Sequence, residues 1–370
     1  MAGPYSDVHD ELRSVAADLL TRQRPDGSEL GWPLLASTGW LGLEAPESVG
    51  GAGATFAEVA IVVEEMGRAA ASSAYLGGVV LGVGALTALS SGRARDALLG
   101  DAVSGSVRTA VALCADQGSA HVDVPFRLAA TGTGLRLCGR SRFVPDADGA
   151  ARLLLLAHDP GGIPVIVAAQ PDAAGVSVTA QPVLDQTRRL ATVSADEVAI
   201  DPSAVWRFDG DPNAQVRRLL DRACVAVACD SLGLSQAMLS ATVSYAALRC
   251  QFSRPIGSFQ AVKHACADMQ VQVSVSRQLV RRAAEALAVA RPDATAAADA
   301  TAAASMAKAY ACGSAVAVVG KAMQLHGGIG YTWESGIHVY LKRAALNRSL
   351  FGSPAAHRSE LARRYLSPRR

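Results

Sequence analysis

The chain is poor in the features that announce a metal centre, a disulfide framework or a membrane span. Its seven cysteines lie far apart, with no C-x-x-C pair and no Cys/His cluster at zinc spacing. Cys224 and Cys229 are the closest two, so the thiols read as reduced and buried in a cytoplasmic protein. Charge is sparse and balanced: 35 Lys and Arg face 33 Asp and Glu, a formal +2. That is too little to draw nucleic acid or an anionic membrane surface. The apolar runs near 76–89 and 309–323 are broken by Gly, Ser or Lys and fall short of the ~20 residues of a membrane span. The N-terminus has neither a basic n-region nor an apolar h-region, so no signal peptide is expected.

What is present is a globular composition, half apolar and 18% charged, over 370 residues. Three textures divide it, with boundaries at 1–106, 107–206 and 207–370. The first is helical, with one apolar stripe at Leu12, Val15, Leu19 and Leu20 and another at Val59, Val62, Val63 and Met66. Between them, Glu44-Ala-Pro-Glu-Ser-Val-Gly-Gly-Ala-Gly-Ala-Thr55 lacks both a preceding strand and the phosphate-loop order, and reads as an interhelical loop. The second texture is short β-like runs at 107–113, 136–144, 153–158, 165–169 and 191–200, without intervening helices. Such spacing predicts an antiparallel barrel or sandwich and argues against a nicotinamide-type dinucleotide fold. The third is almost wholly helical, with long helices predicted over 213–250, 259–290 and 295–325 and shorter ones over 334–349 and 355–366. Helices of that length pack as an antiparallel bundle. The fold class is therefore α+β.

Two stretches are more specific than packing requires. Arg249-Cys-Gln-Phe-Ser-Arg-Pro-Ile-Gly-Ser-Phe-Gln260 sets an arginine, two amides and two rings around a helix–turn–helix corner. That set suits an anionic, planar, hydrogen-bonding ligand, although an arginine capping helix carbonyls is the plainer reading. Gln324-Leu-His-Gly-Gly-Ile-Gly330 places an amide just before glycines that let a ligand approach the backbone.

In this order and spacing, the two stretches resemble the acyl-CoA dehydrogenase family. So do Pro46-Glu-Ser-Val-Gly-Gly-Ala-Gly53, Glu64-Glu-Met-Gly-Arg68, Val183-Leu-Asp-Gln-Thr-Arg-Arg-Leu-Ala191 and Leu350-Phe-Gly-Ser-Pro-Ala-Ala-His-Arg358. The ending is similar to that of short, divergent actinobacterial members. The resemblance implies a helical N-terminal domain, a central β-domain and a C-terminal four-helix bundle, with FAD bound across a subunit interface. It implies that Arg249, Gln251 and Phe252 hold the pyrophosphate and adenine side, extended by Ile256, Phe259 and Gln260. Gln324, Gly327 and Gly328 would reach that cofactor from the neighbouring subunit, with Ser353 near the flavin end. Ser253 departs from the family's usual glycine. The implied partners are an acyl-CoA, an electron-transfer flavoprotein or similar acceptor, and either further copies or a homologous chain. No metal is implied.

The resemblance runs out at the base. A thioester α-proton is weakly acidic, so its removal needs a placed carboxylate and hydrogen bonds to the thioester oxygen. The family's usual glutamate position falls on Phe351, and the minority position, on the first long helix of the bundle, falls on Ala223. Asp221 and Asp230 are the nearest carboxylates, and Asp230 lies two turns from Ala223 on nearly the same helix face. Its apolar surroundings predict a raised pKa suited to a general base, while an ion pair with a bundle cation is the plainer alternative. His326, Glu334 and His338 are weaker candidates. In the β-domain, Leu113-Cys-Ala-Asp-Gln-Gly-Ser119 replaces the family's flavin-cradling Thr-Glu-Pro run. Three readings follow: an acyl-CoA dehydrogenase working through Asp230, a non-catalytic FAD-site subunit of a heteromer, or an oxidase or carrier-tethered desaturase on the same fold.

Overall fold

The computed structural model describes residues 6–22, 29–113, 120, 123–132, 134–289 and 292–366. The segment 114–119, where the flavin-cradling run is replaced, and Arg291 of the expected interhelical turn lie outside the described residues.

The N-terminal part is built from α1 (Ser6–Arg22), α2 (Trp32–Ser37), α3 (Phe56–Arg68), a π-helix (Leu76–Val83) running into α4 (Gly84–Thr87), and α5 (Arg93–Ser104). Thr55 starts α3 through a capping box: its hydroxyl accepts from Ala57 N while the Glu58 carboxylate accepts from Thr55 N. The expected stripe on α1 is corrected at one position. Val15 is 51% exposed, and Ala16 takes its place in the core. The Glu44–Thr55 stretch is a loop carrying one short 3₁₀ turn, Glu47–Val49.

The middle part holds β1 (Thr109–Ala112), β2 (Phe126–Thr131), β3 (Gly134–Pro145), β4 (Arg152–His158), β5 (Pro164–Ala169), β6 (Val176–Gln181), β7 (Leu190–Ile200) and β8 (Val205–Arg207). Their order is β6-β7-β3-β2-β4-β5-β8, with β1 also on β4. The expectation of a wholly antiparallel sheet is corrected. Both β1 and β2 pair parallel with β4, at Thr109↔Arg152 and Phe126↔Ala157, because they meet the same edge of β4 one after the other. Parallel pairing suits β4, whose Leu-Leu-Leu-Leu-Ala run is buried on both faces. Leu154 and Leu156 face the helical core, and Leu153, Leu155 and Ala157 a core within the sheet domain.

The C-terminal part is α6 (Pro212–Leu248), a two-residue ribbon of β9 (Cys250–Gln251) and β10 (Arg254–Pro255), α7 (Gln260–Ala288), α8 (Ala294–His326), α9 (Ile337–Ser349) and α10 (Pro354–Leu366). Asp211 and Asp293 cap α6 and α8 by accepting from Asn213 N and Ala296 N. Both helices are long and apolar enough to cross a membrane, yet their apolar windows are 89% and 67% buried within the protein, as core helices are. α6 is the central post. A Cβ on Gly233 would lie 2.0 Å from Glu64 O, and one on Gly67 would lie 2.2 Å from Asp230 O. Only glycine lets α3 and α6 cross this closely.

Candidate functional site

The Arg249 corner forms where α6 ends. Arg249 leaves the helix with extended backbone, and Ile256 N returns to Arg249 O at 2.8 Å, closing the turn. Phe252 and Ser253 both take left-handed backbone, at φ 52 and 64, a strained choice for a phenylalanine. Ser253 thus takes a backbone conformation that glycine adopts more readily. Phe252 stands 87% exposed, edge-on to Phe259 at 6.2 Å, and the Arg254 guanidinium lies 4.2 Å over the Phe259 ring. Gln251 and Gln260 are exposed, and Ile256 and Phe259 are half-buried.

The Gln324 stretch sits beside this corner. Tyr245, one turn before the end of α6, stacks on His326 at 4.4 Å, and its hydroxyl donates to His326 O at 3.4 Å. One chain thus brings Arg249 and Gln324 to the same end of its bundle, where the resemblance had implied that Gln324 comes from a neighbour. The reason is topological: α6 finishes and α8 finishes at the same end, so their terminal loops adjoin. Gly327 ends α8 at φ 62, ψ −142, a region essentially reserved for glycine. A Cβ on Gly328 would meet nothing within 4 Å, so packing inside this chain does not explain that glycine. A ligand approaching from outside would.

The corner is thus an exposed set of arginine, amides, rings and bare backbone. Arg249, Gln251 and Gln260 are exposed, and Gln324 is exposed with its Oε1 accepting from Lys321 Nζ at 3.1 Å, which fits an anionic, planar group bound from outside. Ser353 is half-buried, and its hydroxyl accepts from Ala356 N at 3.2 Å, which makes it the cap of α10.

Asp230 is elsewhere and differently placed. It is 0% exposed. Arg343 donates from Nε to one carboxylate oxygen at 2.9 Å and from Nη2 to the other. Arg188 pairs with it at 3.1 Å, and Asn347 Nδ2 donates to it at 2.6 Å. Burial alone would raise its pKa, but the charges of Arg343 and Arg188, with the bonds from Arg343 and Asn347, outweigh burial and hold it below the usual range. The expectation of a raised pKa is corrected, and with it the suitability of Asp230 as a base: the carboxylate has no free lone pair directed at a cavity. The signal missed was Arg343, 113 residues away. Asp221 is held by Arg217 and Thr301, with burial raising its carboxyl. Glu334 is exposed, its carboxyl held low by its own backbone amide and the Thr332 hydroxyl. His326 bonds Ala322 O, and His338 packs edge-on to Trp333 at 4.4 Å.

Phe351 is 1% exposed with φ 56, and Ala223 is 0% exposed. Their segments meet through Cys224, whose Sγ donates to Phe351 O at 3.5 Å; that oxygen also accepts from His357 Nε2 at 2.9 Å. Cys224 and His357 stand 3.7 Å apart but do not form a nucleophilic dyad. Burial pushes the thiol up to about 12 and the imidazole down to about 4, so both stay neutral.

Comparison with known proteins agrees with this geometry. The acyl-CoA dehydrogenase N-terminal domain matches residues 7–106 and the C-terminal domain residues 213–366. The acyl-CoA dehydrogenase IpdE2 of Mycolicibacterium smegmatis is 31% identical over 364 residues, 94% of this chain and 96% of that protein. The chain belongs to the acyl-CoA dehydrogenase family. Among solved structures, the ChsE4–ChsE5 complex from Mycobacterium tuberculosis contains a chain 25% identical, with a TM-score of 0.84 over 98% of both chains. A variant of the Tcur3481–Tcur3483 steroid ACAD is 28% identical, with a TM-score of 0.81 over 96% of this chain and 97% of that one. The membership makes the chain a flavoprotein-type oxidoreductase of lipid metabolism and accounts for its three-part fold.

Proposed function

We propose that this chain is an FAD-site subunit of a heteromeric acyl-CoA dehydrogenase, in which a homologous chain supplies the base. The observation that carries the reading is a contrast within one chain. The Arg249 corner and the Gln324-to-Gly328 stretch carry the residues that the resemblance assigns to the cofactor, whereas the positions it assigns to the base are Phe351 and Ala223, and Asp230 is paired with two arginines. Two of the similar solved structures are complexes of paired chains by their names, which supports a paired assembly.

In this reading the Arg249 guanidinium neutralises the diphosphate of FAD, a charge-assisted contact for which two or more hydrogen bonds are available. Gln251, Gln260 and Gln324 donate and accept at the nucleotide end, and the Phe252 and Phe259 rings cover a planar face. Gly327 and Gly328 let that ligand lie against bare backbone, and the Ser353 turn orders the segment at the flavin end. FAD, when bound, would supply the acceptor for the β-hydride of the acyl thioester; the α-proton would go to the partner's carboxylate, and an electron-transfer flavoprotein or similar acceptor would take the electrons onward.

The test is to purify the chain alone and co-expressed with a homologue that carries a glutamate before glycine in its last loop. We expect little flavin on the chain alone and near-stoichiometric FAD in the pair. Turnover should disappear when the homologue's glutamate becomes glutamine. Arg249→Ala should weaken FAD binding by about 10- to 100-fold, the worth of a charge-assisted contact, while leaving the thermal stability of the apo chain unchanged. A yellow chain, purified alone and bleached by an acyl-CoA without air, would refute the reading.

A further inference from the structure

The Arg249 corner follows α6 and the glycine stretch follows α8, so the path of the chain does not by itself fix the distance between them. Tyr245 is the residue that touches both. Its carbonyl accepts from Arg249 N at 2.8 Å, which closes the last turn of α6. Its ring lies on the His326 ring at 4.4 Å and 23°, and its hydroxyl reaches His326 O at 3.4 Å.

His326 is held in turn. A carbonyl only accepts, so the contact with Ala322 O at 2.8 Å puts the ring proton on Nδ1 and folds the ring back along α8. The 3₁₀ turn Gly327–Tyr331 packs onto the same residue. A Cβ on Gly330 would lie 2.5 Å from Met323 O and 3.1 Å from His326 Cβ. On the other side, the 3₁₀ turn Ile256–Ser258 lies on α6 next to Tyr245, where a Cβ on Gly257 would come within 3.0 Å of Ala246 O. Each turn therefore rests on one member of the stacked pair or on its neighbour. Both rings are half-buried, so filling the interior does not account for them.

We propose that Tyr245 and His326 are positioning residues of the cofactor site. Their stack sets the spacing between Arg249 and the open backbone of Gly327 and Gly328, so the two halves stand ready for one ligand. That role rests on the FAD-site reading above. A site already in register binds without the cost of ordering its loops. An aromatic pair of this geometry is worth about 3- to 10-fold in such a balance.

The test uses the co-expressed complex, stripped of flavin and titrated with FAD, with substitutions in this chain. We expect His326→Ala and Tyr245→Leu each to weaken FAD binding by about 3- to 10-fold. His326→Phe and Tyr245→Phe keep the stack and should stay within about 2-fold of wild type. The double variant His326→Ala/Tyr245→Leu should lose no more than either single one, because both remove the same contact. Equal losses for alanine and phenylalanine at 326, or losses that multiply in the double variant, overturn the proposal. Amide exchange at residues 327–330 of the flavin-free complex gives a reading that needs no cofactor. Faster exchange in His326→Ala than in His326→Phe is expected, and equal exchange overturns the brace. Arg249→Ala separates the two failures. If it weakens FAD binding while His326→Ala does not, the brace alone is wrong; if neither does, the FAD-site reading falls and the cofactor role of the pair falls with it. The same titrations apply to the chain alone should it carry FAD unaided.

Discussion

Replacing Asp230 by asparagine separates a structural carboxylate from a catalytic one. The substitution keeps the size of the side chain and removes its charge, leaving Arg188 and Arg343 facing each other with side chains only 5% and 1% exposed. Burial and the charge of Arg343 already push the Arg188 pKa down, so the loss of the shared anion is felt by both. Removing one partner of a buried ion pair costs about 3–5 kcal/mol. Asp146 and Asp185 lie close enough to influence Arg188, so we expect the lower end, about 3 kcal/mol, or a loss of about 100-fold in the folded-to-unfolded ratio. Urea denaturation of the apo chain should show an earlier midpoint with an unchanged slope. Arg343→Met on top of Asp230→Asn should recover part of the loss, because the two positions are coupled. The pH dependence follows from the depressed pKa: the carboxylate's contribution is present above its unfolded value and is lost only as pH falls below about 4. The penalty should therefore be the same at pH 6 and pH 8. An unshifted midpoint together with abolished turnover in the assembled enzyme would refute this reasoning and restore Asp230 as the base.

Asp146 behaves in the opposite sense. Burial raises its carboxyl to about 6 despite the bond from Gly77 N at 2.8 Å. The folded chain therefore binds this proton more tightly than the unfolded chain, and stability should rise as pH falls from 7 towards 4. The gain approaches about 1.4 kcal/mol per pH unit only between the folded value of about 6 and the unfolded value of about 4, and is small above 6. Asp146→Asn keeps an acceptor for Gly77 and should flatten this slope, measured by urea midpoints at pH 5 and 7; an unaltered slope would show that another group carries it. Gly233→Ala should destabilise the apo chain by about 1–3 kcal/mol, as overpacking does, by forcing α6 away from Glu64 O. A thermal melt within experimental error of wild type would mean that the α3–α6 crossing yields more easily than its geometry indicates.

The elements that repeat a period along the chain were legible. The three long bundle helices lie within three residues of their expected ends, and all five expected strands are present. The strands that escaped in the sheet, β2, β6 and β8, are short and largely exposed or half-buried, so they carry few strongly apolar residues to mark them. The parallel pairings escaped for a different reason: strand direction is set by the path of the connections, which residue patterns do not encode. Of the site, the cofactor corner was legible because its residues cluster within 12 positions. What Asp230 does was not, because its three partners lie 42, 113 and 117 positions away. Helix-face reasoning placed it on α6 but could not supply the arginines that neutralise it.

The Asp230 cluster also has a consequence for the order in which the chain can become itself. Its charges come from three well-separated places: Arg188 in the middle part, Asp230 on α6 and Arg343 on α9. During synthesis the N-terminal part, the β-domain and α6 all emerge before α9, carrying a carboxylate that has Arg188 but not yet its larger counter-charge, Arg343. Arg343 also donates to Ala71 O and Thr187 Oγ1, so the same late residue fastens the N-terminal part as well. After α9 come the turn at 350–353 and then α10, which covers the core last. A ribosome-bound fragment that stops before residue 343 should therefore remain open to proteases across all three parts, however complete its sheet, and the whole should close at once when α9 arrives.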